Sequence, residues 1–411
     1  MIYFLLPTNH HPIYKSIDCV TSDVVTEPII SNSLLHYLYD TKEKINSYEQ
    51  DWDLFKKYTN PYEYIHSPIP TTKKAVSKYK PLSRSYFKMI EIMSIFKIGQ
   101  AEHAAPIRSF HLAEGPGGFI EALANLRLRS DDQYVGMTIL DGKSDHNIPA
   151  WKKSTQFLAT HPNVFIENGA DGTGNLLSLE NFGYCAEKYK SSIDIITADG
   201  GFDFSDDFNS QEMTIVKLLF AQICFAVTMQ KKNGCFILKV FDCFMQHTVD
   251  LLYILSSFYD RVYITKPQTS RYANSEKYIV CKHFTYKSNA EFYPHLHKAF
   301  ANMMEDRKHV SRFLRIPIPT FFLNKLEEYN SIFGQQQIEN IQNTIILIEN
   351  KHKNERIENL LKMNIQKSTN WCIKYAVPHY AIIKPPNIFL DEFAHVNKFI
   401  TPLNGRIVGA L

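Results

Sequence analysis

The chain has 411 residues, enough for two or three domains or for one large domain with extensions, and its 45% hydrophobic content is that of an ordinary soluble globular protein. A net charge of +3 excludes a strongly basic nucleic-acid coat, though not a local basic groove. The seven cysteines (Cys19, Cys185, Cys224, Cys235, Cys243, Cys281 and Cys372) are scattered without a C-x-x-C, so neither a disulfide framework nor a metal site is expected.

Cys243 and His247 are close enough to share a metal, but no second pair stands at zinc spacing. Most of the cysteines lie in apolar runs and are expected as buried thiols, which suits a reducing compartment. Aromatic residues make up 13% of the chain; core packing is their commoner use and base stacking their rarer one. The start, Met1 to Pro7, is apolar but too short for a signal peptide, and it has no basic leader. No run approaches the ~18 apolar residues of a membrane span, so no membrane partner is expected and a cytoplasmic location fits.

Residues 1–79 read as an N-terminal extension of mixed character, with short helices over 33–38 and 52–58. Residues 67–74, Ser-Pro-Ile-Pro-Thr-Thr-Lys-Lys, form a proline-rich basic connector. A plain boundary is one reading. A loop whose Lys73, Lys74 and Lys78 touch RNA phosphates is the other. Further on, Ser83 can cap a helix in which Tyr86, Met89, Ile90 and Met93 make one apolar stripe. Lys88 lies in its first turns, where a lone lysine is usually solvated.

Residues 110–119, Phe-His-Leu-Ala-Glu-Gly-Pro-Gly-Gly-Phe, are the stretch the chain is organised around. A strand ends at Glu114. Gly115, Gly117 and Gly118 then permit a tight turn that brings backbone N–H groups close to a ligand. From Phe119 to Leu128 the apolar spacing is helical. A strand, a glycine turn and a helix make the cofactor corner of a doubly wound α/β domain, or an ordinary strand-to-helix turn.

Further strands are expected over 134–139, 163–167, 192–199, 235–240, 261–265 and 277–281, with helices over 211–231 and 247–259. Seven strands between 109 and 283 give one mostly parallel sheet with an antiparallel edge. Asp171 follows the third strand; it either holds a polar edge of a bound adenosine or shapes an Asp-Gly turn. Asp199 ends the fourth strand. Lys239 stands inside the otherwise apolar fifth, where an unpaired ammonium is costly and needs a carboxylate or a task. From 286 to 411 apolar residues recur mostly at three to four positions and read as a helical C-terminal module, with a helix over 294–313 and an irregular tail from 382.

Four positions thus line up in order: Lys88, Asp199, Lys239 and Glu276. Five stretches resemble, in sequence, the FtsJ/RrmJ-like family of S-adenosylmethionine-dependent RNA ribose 2′-O-methyltransferases, and in particular its mRNA-cap branch. They are 83–88 (Ser-Arg-Ser-Tyr-Phe-Lys), 112–119, 198–202 (Ala-Asp-Gly-Gly-Phe), 236–242 (Phe-Ile-Leu-Lys-Val-Phe-Asp) and 270–276 (Ser-Arg-Tyr-Ala-Asn-Ser-Glu). The wider pattern also resembles the FtsJ-type proteins of large nucleocytoplasmic DNA viruses, for which the location would be a viral factory or virion.

The resemblance implies a Rossmann-like seven-stranded methyltransferase sheet over 80–285, S-adenosylmethionine as cofactor and capped mRNA as partner, with other capping or transcription proteins beside it. It implies a catalytic tetrad of Lys88, Asp199, Lys239 and Glu276. Cofactor contacts fall on Glu114, Gly115, Pro116, Gly117, Gly118, Phe119, Asp171 and Asp199. RNA contacts fall on Arg271, Asn274 and Ser275. The chain departs from the cap branch at Asn175, where an acidic residue is frequent, and at Tyr272, where proline is. Chemistry gives the tetrad its reason. The ribose 2′-hydroxyl must lose its proton, and a free lysine is protonated at neutral pH. Crowding by a second ammonium and partial burial are what turn a lysine into a base. Lys239 is then the base or the stabiliser of the developing alkoxide, Asp199 its orienter, and Lys88 with Glu276 the electrostatic frame. Ribosomal or transfer RNA ribose is the alternative substrate, and a catalytically silent RNA-binding subunit of a capping complex the alternative role. Against a nicotinamide enzyme, residues 137–140 (Met-Thr-Ile-Leu) lack the acidic residue that holds a ribose diol.

Overall fold

Apolar runs alternating with helical stripes over the middle of the chain build one large sheet flanked by helices. The computed structural model describes residues 1–100, 105–140, 150–201, 209–305 and 308–380. Strands β1 (Ile2–Leu5) and β2 (Ile17–Ser22) precede helices α1 (Asn32–Glu43) and α2 (Glu49–Tyr58). Then come α3 (Ser85–Phe96), β3 (Arg108–Leu112), α4 (Gly118–Arg127), β4 (Gln133–Met137), α5 (Thr155–Thr160), β5 (Val164–Ile166), α6 (Leu179–Lys188) and β6 (Ile193–Ala198). The sheet is completed around α7 (Gln211–Met229), β7 (Gln230–Val240), α8 (Gln246–Phe258), β8 (Tyr259–Lys266) and β9 (Lys277–Phe284). The described chain ends with α9 (Tyr293–Glu305), β10 (His309–Leu314), α10 (Thr320–Glu349) and α11 (Asn354–Lys374).

The sheet order is β1-β8-β9-β7-β6-β3-β4-β5. Strands β3 to β7 run parallel, and β9 is antiparallel to both β7 and β8. All seven expected strands are present, and β1 adds an eighth. The apolar opening of the chain is an edge strand, antiparallel to β8. Phe4 stacks on Tyr329 at 4.5 Å, and Tyr3 meets Phe96 edge-on at 5.3 Å. The chain winds one way from β3 through β4 to β5 and the other way through β6 to β7. The crevice of such a sheet opens outside the carboxyl ends of β3 and β6.

Helix α7 is long and apolar enough to cross a membrane by length and composition, but most of it is buried inside the protein. It packs on β6 and β7 and against α6, α8 and α9. Phe220 stacks on Phe313 at 4.2 Å, and Phe225 meets Phe182 at 5.4 Å. Apolar side chains all round a helix are what a central core helix requires, each large one contributing roughly 1.5–3 kcal/mol when fully buried.

The helix expected over 294–313 ends at Glu305. Residues His309–Leu314 are instead a strand, antiparallel to β2. Tertiary bonds override the local helical spacing there: the buried Asp250 carboxylate accepts from Phe313 N at 2.9 Å and from Leu314 N at 3.2 Å. The tail from 382 lies outside the described residues. Six of the seven cysteines are buried, all seven are free thiols, and Cys235 is half-buried.

The chain divides into two units. One comprises Met1–Asn60 with Pro81–Lys353; the other comprises Pro61–Lys80 with the chain from Asn354. In the second, a short turn at Glu63–Ile65 packs on α11. Val76 N donates to Tyr64 O at 2.8 Å, Lys78 N to Pro378 O at 2.8 Å and Tyr380 N to Val76 O at 3.0 Å. Tyr64, Ile65, Trp371 and Cys372 are its buried centre.

Under the crevice, His111 of β3 is fully buried between Ser109 Oγ and Thr197 Oγ1, each at 2.8 Å. Burial pushes its pKa down to about 3, so the folded ring is neutral at mild pH. An unfolded histidine takes up a proton near pH ~6.5. The unfolded state therefore binds the extra proton as pH falls from ~6.5 toward the folded value, and stability falls with it. His247, pushed down by burial to about 4, adds to the same slope. His111→Gln is expected to narrow the difference in Tm between pH 7 and pH 5 measured by calorimetry. An unchanged difference would show that His111 does not carry this dependence.

Candidate active site

The glycine turn is packed from both sides. A Cβ at Gly115 would lie 2.5 Å from Ala150 O, and one at Gly118 would collide with the hydroxyls of Ser83 and Ser85. Gly117 turns the chain with φ +111°, the left-handed region that favours glycine. Ser83 does not cap α3 as its sequence position suggests; its hydroxyl pairs with that of Ser85. Glu114 caps α4 from the end of β3. Its Oε1 accepts from Phe119 N at 2.8 Å and Ile120 N at 3.0 Å. Burial pushes the Glu114 carboxyl up to about 8 against the two backbone bonds, with Asp199 adding to the rise. The first two of these amides beyond the glycine turn are thus satisfied within the protein. Phe119 itself is fully buried, with its ring 6.1 Å from that of Tyr278. It belongs to the core rather than to the list of ligand contacts. Pro116 accepts at its carbonyl from Ser154 Oγ.

Asp171, after β5, shapes its own loop. Its Oδ1 accepts from Thr173 N at 2.8 Å, Thr173 Oγ1 at 2.7 Å and Asn181 Nδ2 at 2.8 Å. Burial raises its pKa slightly, but these donors outweigh it and bring it to about 2. The loop also closes on the end of β4, where Leu140 N donates to Thr173 O at 2.8 Å.

The four lined-up residues converge beside this crevice as two ion pairs. Lys88 Nζ stands 2.7 Å from Glu276 Oε2, both side chains being about one-tenth exposed. Lys239 Nζ donates to Asp199 O at 2.7 Å and stands 3.4 Å from Asp199 Oδ1. Gly201 leaves room for that ammonium, since a Cβ there would sit 3.2 Å from Nζ. Tyr278 joins the pairs. Its hydroxyl donates to Asp199 Oδ1 at 2.7 Å and lies 3.4 Å from Lys88 Nζ. Burial, then Asp199 and Glu276, push the phenol well above its ordinary value, so it remains a donor. Burial would also raise Glu276, but Lys88, Lys239 and Lys266 outweigh it and hold the carboxyl well below the usual range.

Sequence reasoning missed Tyr278, although it stands two residues after Glu276 at the start of β9 and so faces the same way. It also missed Lys266, which is buried and gathers the β8–β9 loop. Its ammonium donates to Asn274 O at 2.7 Å, Asn274 Oδ1 at 2.8 Å and Glu276 O at 2.7 Å. Ser270 Oγ donates to Glu276 Oε1 at 2.7 Å. Glu91 of α3 accepts from Gln268 N at 2.7 Å and Thr269 N at 3.2 Å, tying the helix that carries Lys88 to the same loop.

Of the three expected RNA contacts, Asn274 is exposed and Arg271 half-buried. Ser275 corrects the expectation. It is buried, and its hydroxyl donates to Asp242 Oδ2 at 2.9 Å, which makes it a support of the loop. Asp242 also meets Lys42 at 3.0 Å and Lys277 at 3.6 Å. Gln337 of α10 donates to Ala273 O at 3.0 Å. Among the described residues no group of three or more His, Cys, Asp or Glu side chains is placed to hold a metal.

Residues 81–284 match the family described as FtsJ-like methyltransferase. Cap-specific mRNA (nucleoside-2′-O-)-methyltransferase 2 of Pongo abelii is 27% identical over 380 residues, covering 87% of this chain and 47% of the relative. Its namesake in Danio rerio is 29% identical over 342 residues, 79% of this chain and 44% of its own. Cap-specific mRNA (nucleoside-2′-O-)-methyltransferase 1 of Trypanosoma brucei brucei is 32% identical over 228 residues, 54% of this chain and 56% of its own. The chain spans about half the length of these curated relatives. With the strand order and the convergence of Lys88, Asp199, Lys239 and Glu276 beside this match, residues 81–284 are an FtsJ-like methyltransferase domain.

Proposed function

We propose that this chain is an S-adenosylmethionine-dependent RNA 2′-O-ribose methyltransferase acting on cap-proximal nucleotides of mRNA. The observation that carries the reading is the pair of lysine–carboxylate contacts, bridged by Tyr278, beside the switch point of the sheet. The crevice residues fit the cofactor. Glu114, Asp171 and Asp199 follow the carboxyl ends of β3, β5 and β6, where acidic groups suit an ammonium, an adenine amine and ribose hydroxyls. Ile139 and Leu140, after β4, are 45% and 36% exposed and offer apolar surface to a base. Glu114, the 115–118 turn and Asp199 would hold the methionine end and Asp171 the adenine end. S-adenosylmethionine supplies, when bound, a methyl group on a sulfonium whose leaving group needs no proton.

The chain's own residues handle the hydroxyl. Lys239 Nζ is aimed by the Asp199 carbonyl and carboxylate, and takes the 2′-hydroxyl proton or stabilises the oxyanion as it forms. Tyr278 fixes the Asp199 carboxylate, so the base is held by a group that is itself held. Glu276 keeps Lys88 in place as a fixed positive charge beside the reacting oxygen. Arg271 and Asn274 are the proposed RNA contacts. The cap-specific relatives favour capped mRNA over other RNA as the substrate; capping or transcription proteins belong to the proposal as further partners.

Methyl transfer from labelled S-adenosylmethionine to matched short RNAs tests the reading. The RNAs are capped or uncapped, with the first riboses free or already 2′-O-methylated. Incorporation is expected only into capped RNA bearing a free 2′-hydroxyl, with a loss of about 100-fold or more in Lys239→Ala. Uncapped RNA accepted equally well would move the substrate away from the cap. Tyr278→Phe is expected to lower kcat about tenfold with little change in the KM for RNA, the loss of one buried hydrogen bond to a charged group. A change confined to KM would place Tyr278 in substrate binding instead.

A further inference from the structure

The unit formed by Pro61–Lys80 and the chain from Asn354 carries a cationic surface that the reaction does not use. Lys73, Lys74 and Lys78 are exposed. The turn that presents Lys73 and Lys74 is closed by backbone bonds, Lys73 N to Ile69 O at 2.8 Å and Ile69 N to Lys74 O at 3.0 Å. Lys78 is fixed by its own backbone bond to Pro378 O, two residues before Tyr380. The side chains then converge: Lys74 Nζ and Lys78 Nζ each stand 5.4 Å from the centroid of the same Tyr380 ring.

Two ammonium groups gathered on one ring repel each other. The ring attracts both through its electron-rich face, but it supplies no neutralising charge. Among the described residues, neither Lys74 nor Lys78 makes an ion pair with a carboxylate. Elsewhere several buried or half-buried lysines of this chain are matched: Lys42 and Lys277 by Asp242, Lys88 by Glu276, Lys239 by Asp199. A cationic pair held by a backbone ribbon and left without a counter-charge among the described residues is a place for an external anion.

We propose that Lys74 and Lys78, gathered by Tyr380, form an RNA-backbone site that engages phosphates of the transcript. This rests on the reading of the chain as an RNA methyltransferase. The ligand is the phosphodiester chain itself, so the site is indifferent to sequence and its contribution is sensitive to salt. Lys73 adds a third charge on the same turn. Tyr380 acts by placing the two ammonium groups, not by touching the reacting atoms.

The test is binding of a short unstructured uncapped RNA to the full chain, followed by fluorescence anisotropy over a range of salt. Each lysine contact to a single strand contributes about 0.7 to the slope of log K against log salt. Lys74→Gln with Lys78→Gln is therefore expected to make the slope shallower by about 1.4, and Lys74→Arg with Lys78→Arg to restore it. Tyr380→Leu is expected to weaken binding at low salt by several-fold, and Tyr380→Phe to leave it unchanged. In the methylation assay the Gln pair should raise the KM for a long capped RNA and leave turnover of a capped dinucleotide as it was. A slope that does not move in the Gln pair would overturn the proposal, even with methyl transfer intact. No methyl transfer by the unmodified chain, with the slope still falling in the Gln pair, would sink the enzymatic reading and leave the RNA site standing.

Discussion

The structure depends on a carboxylate that is buried and still charged. Burial would raise the Glu276 carboxyl, and the neighbouring Lys88, Lys239 and Lys266 outweigh it and keep it ionised. Removing one partner from such a cluster leaves a buried charge without compensation, which typically costs ~3–5 kcal/mol. The three lysines come from α3, β7 and the end of β8. A single anion thus fixes the relative positions of the helix before the sheet, a central strand and the loop entering β9. Tyr278 carries that order one bond further, from Lys88 to the Asp199 carboxylate. The site is preorganised because its charges also hold the elements together. A site built this way would need little rearrangement as charge develops in the proposed transfer.

Much of this was legible in the sequence, for a physical reason. The strands of a parallel sheet are apolar on both faces, so their residues stand out as runs, and the polar residues at their ends mark the crevice. Lys239 was visible because an ammonium in an apolar strand is an anomaly. Lys88 was not visible by itself, since a lysine on an amphipathic helix is unremarkable until its partner is known. Tyr278 and Lys266 were hidden by the opposite problem. A tyrosine in a strand looks like core, and a lysine at a strand end looks like surface. Only the register of β9 and the folding of the β8–β9 loop show them to be polar struts. Ser275 misled because an alternating loop sequence does not say which side chains turn inward. Glu114 was placed correctly at the turn, but its bonding to the first amides of α4 depends on a backbone path that glycine spacing alone does not specify. The strand at β10 was lost to a helical pattern because Asp250, sixty residues away in the chain, supplies the bonds that favour extension.

The segment that matches the family is not mechanically separate from what surrounds it. Asp242 stands two residues beyond β7, the strand that carries Lys239, and inside the matched stretch. Its buried charge is balanced in part by Lys42, from α1 in the first sixty residues. The same carboxylate receives Ser275, the neighbour of Glu276, and Gln337 of α10 reaches that hydroxyl at 3.3 Å. The loop holding Glu276 is therefore braced from one side by Lys266 and Ser270 within the domain, and from the other by residues before and after it. Strand β1 extends this dependence to the sheet edge, where Tyr329 of α10 donates to Leu5 O at 2.9 Å. Buried polar contacts of this kind work only when every member is present, because a half-satisfied network is worse than an apolar one. Helices α1 and α10 thus brace the glutamate loop through Lys42 and Gln337, and β1 is tied in turn to α10 through Tyr329.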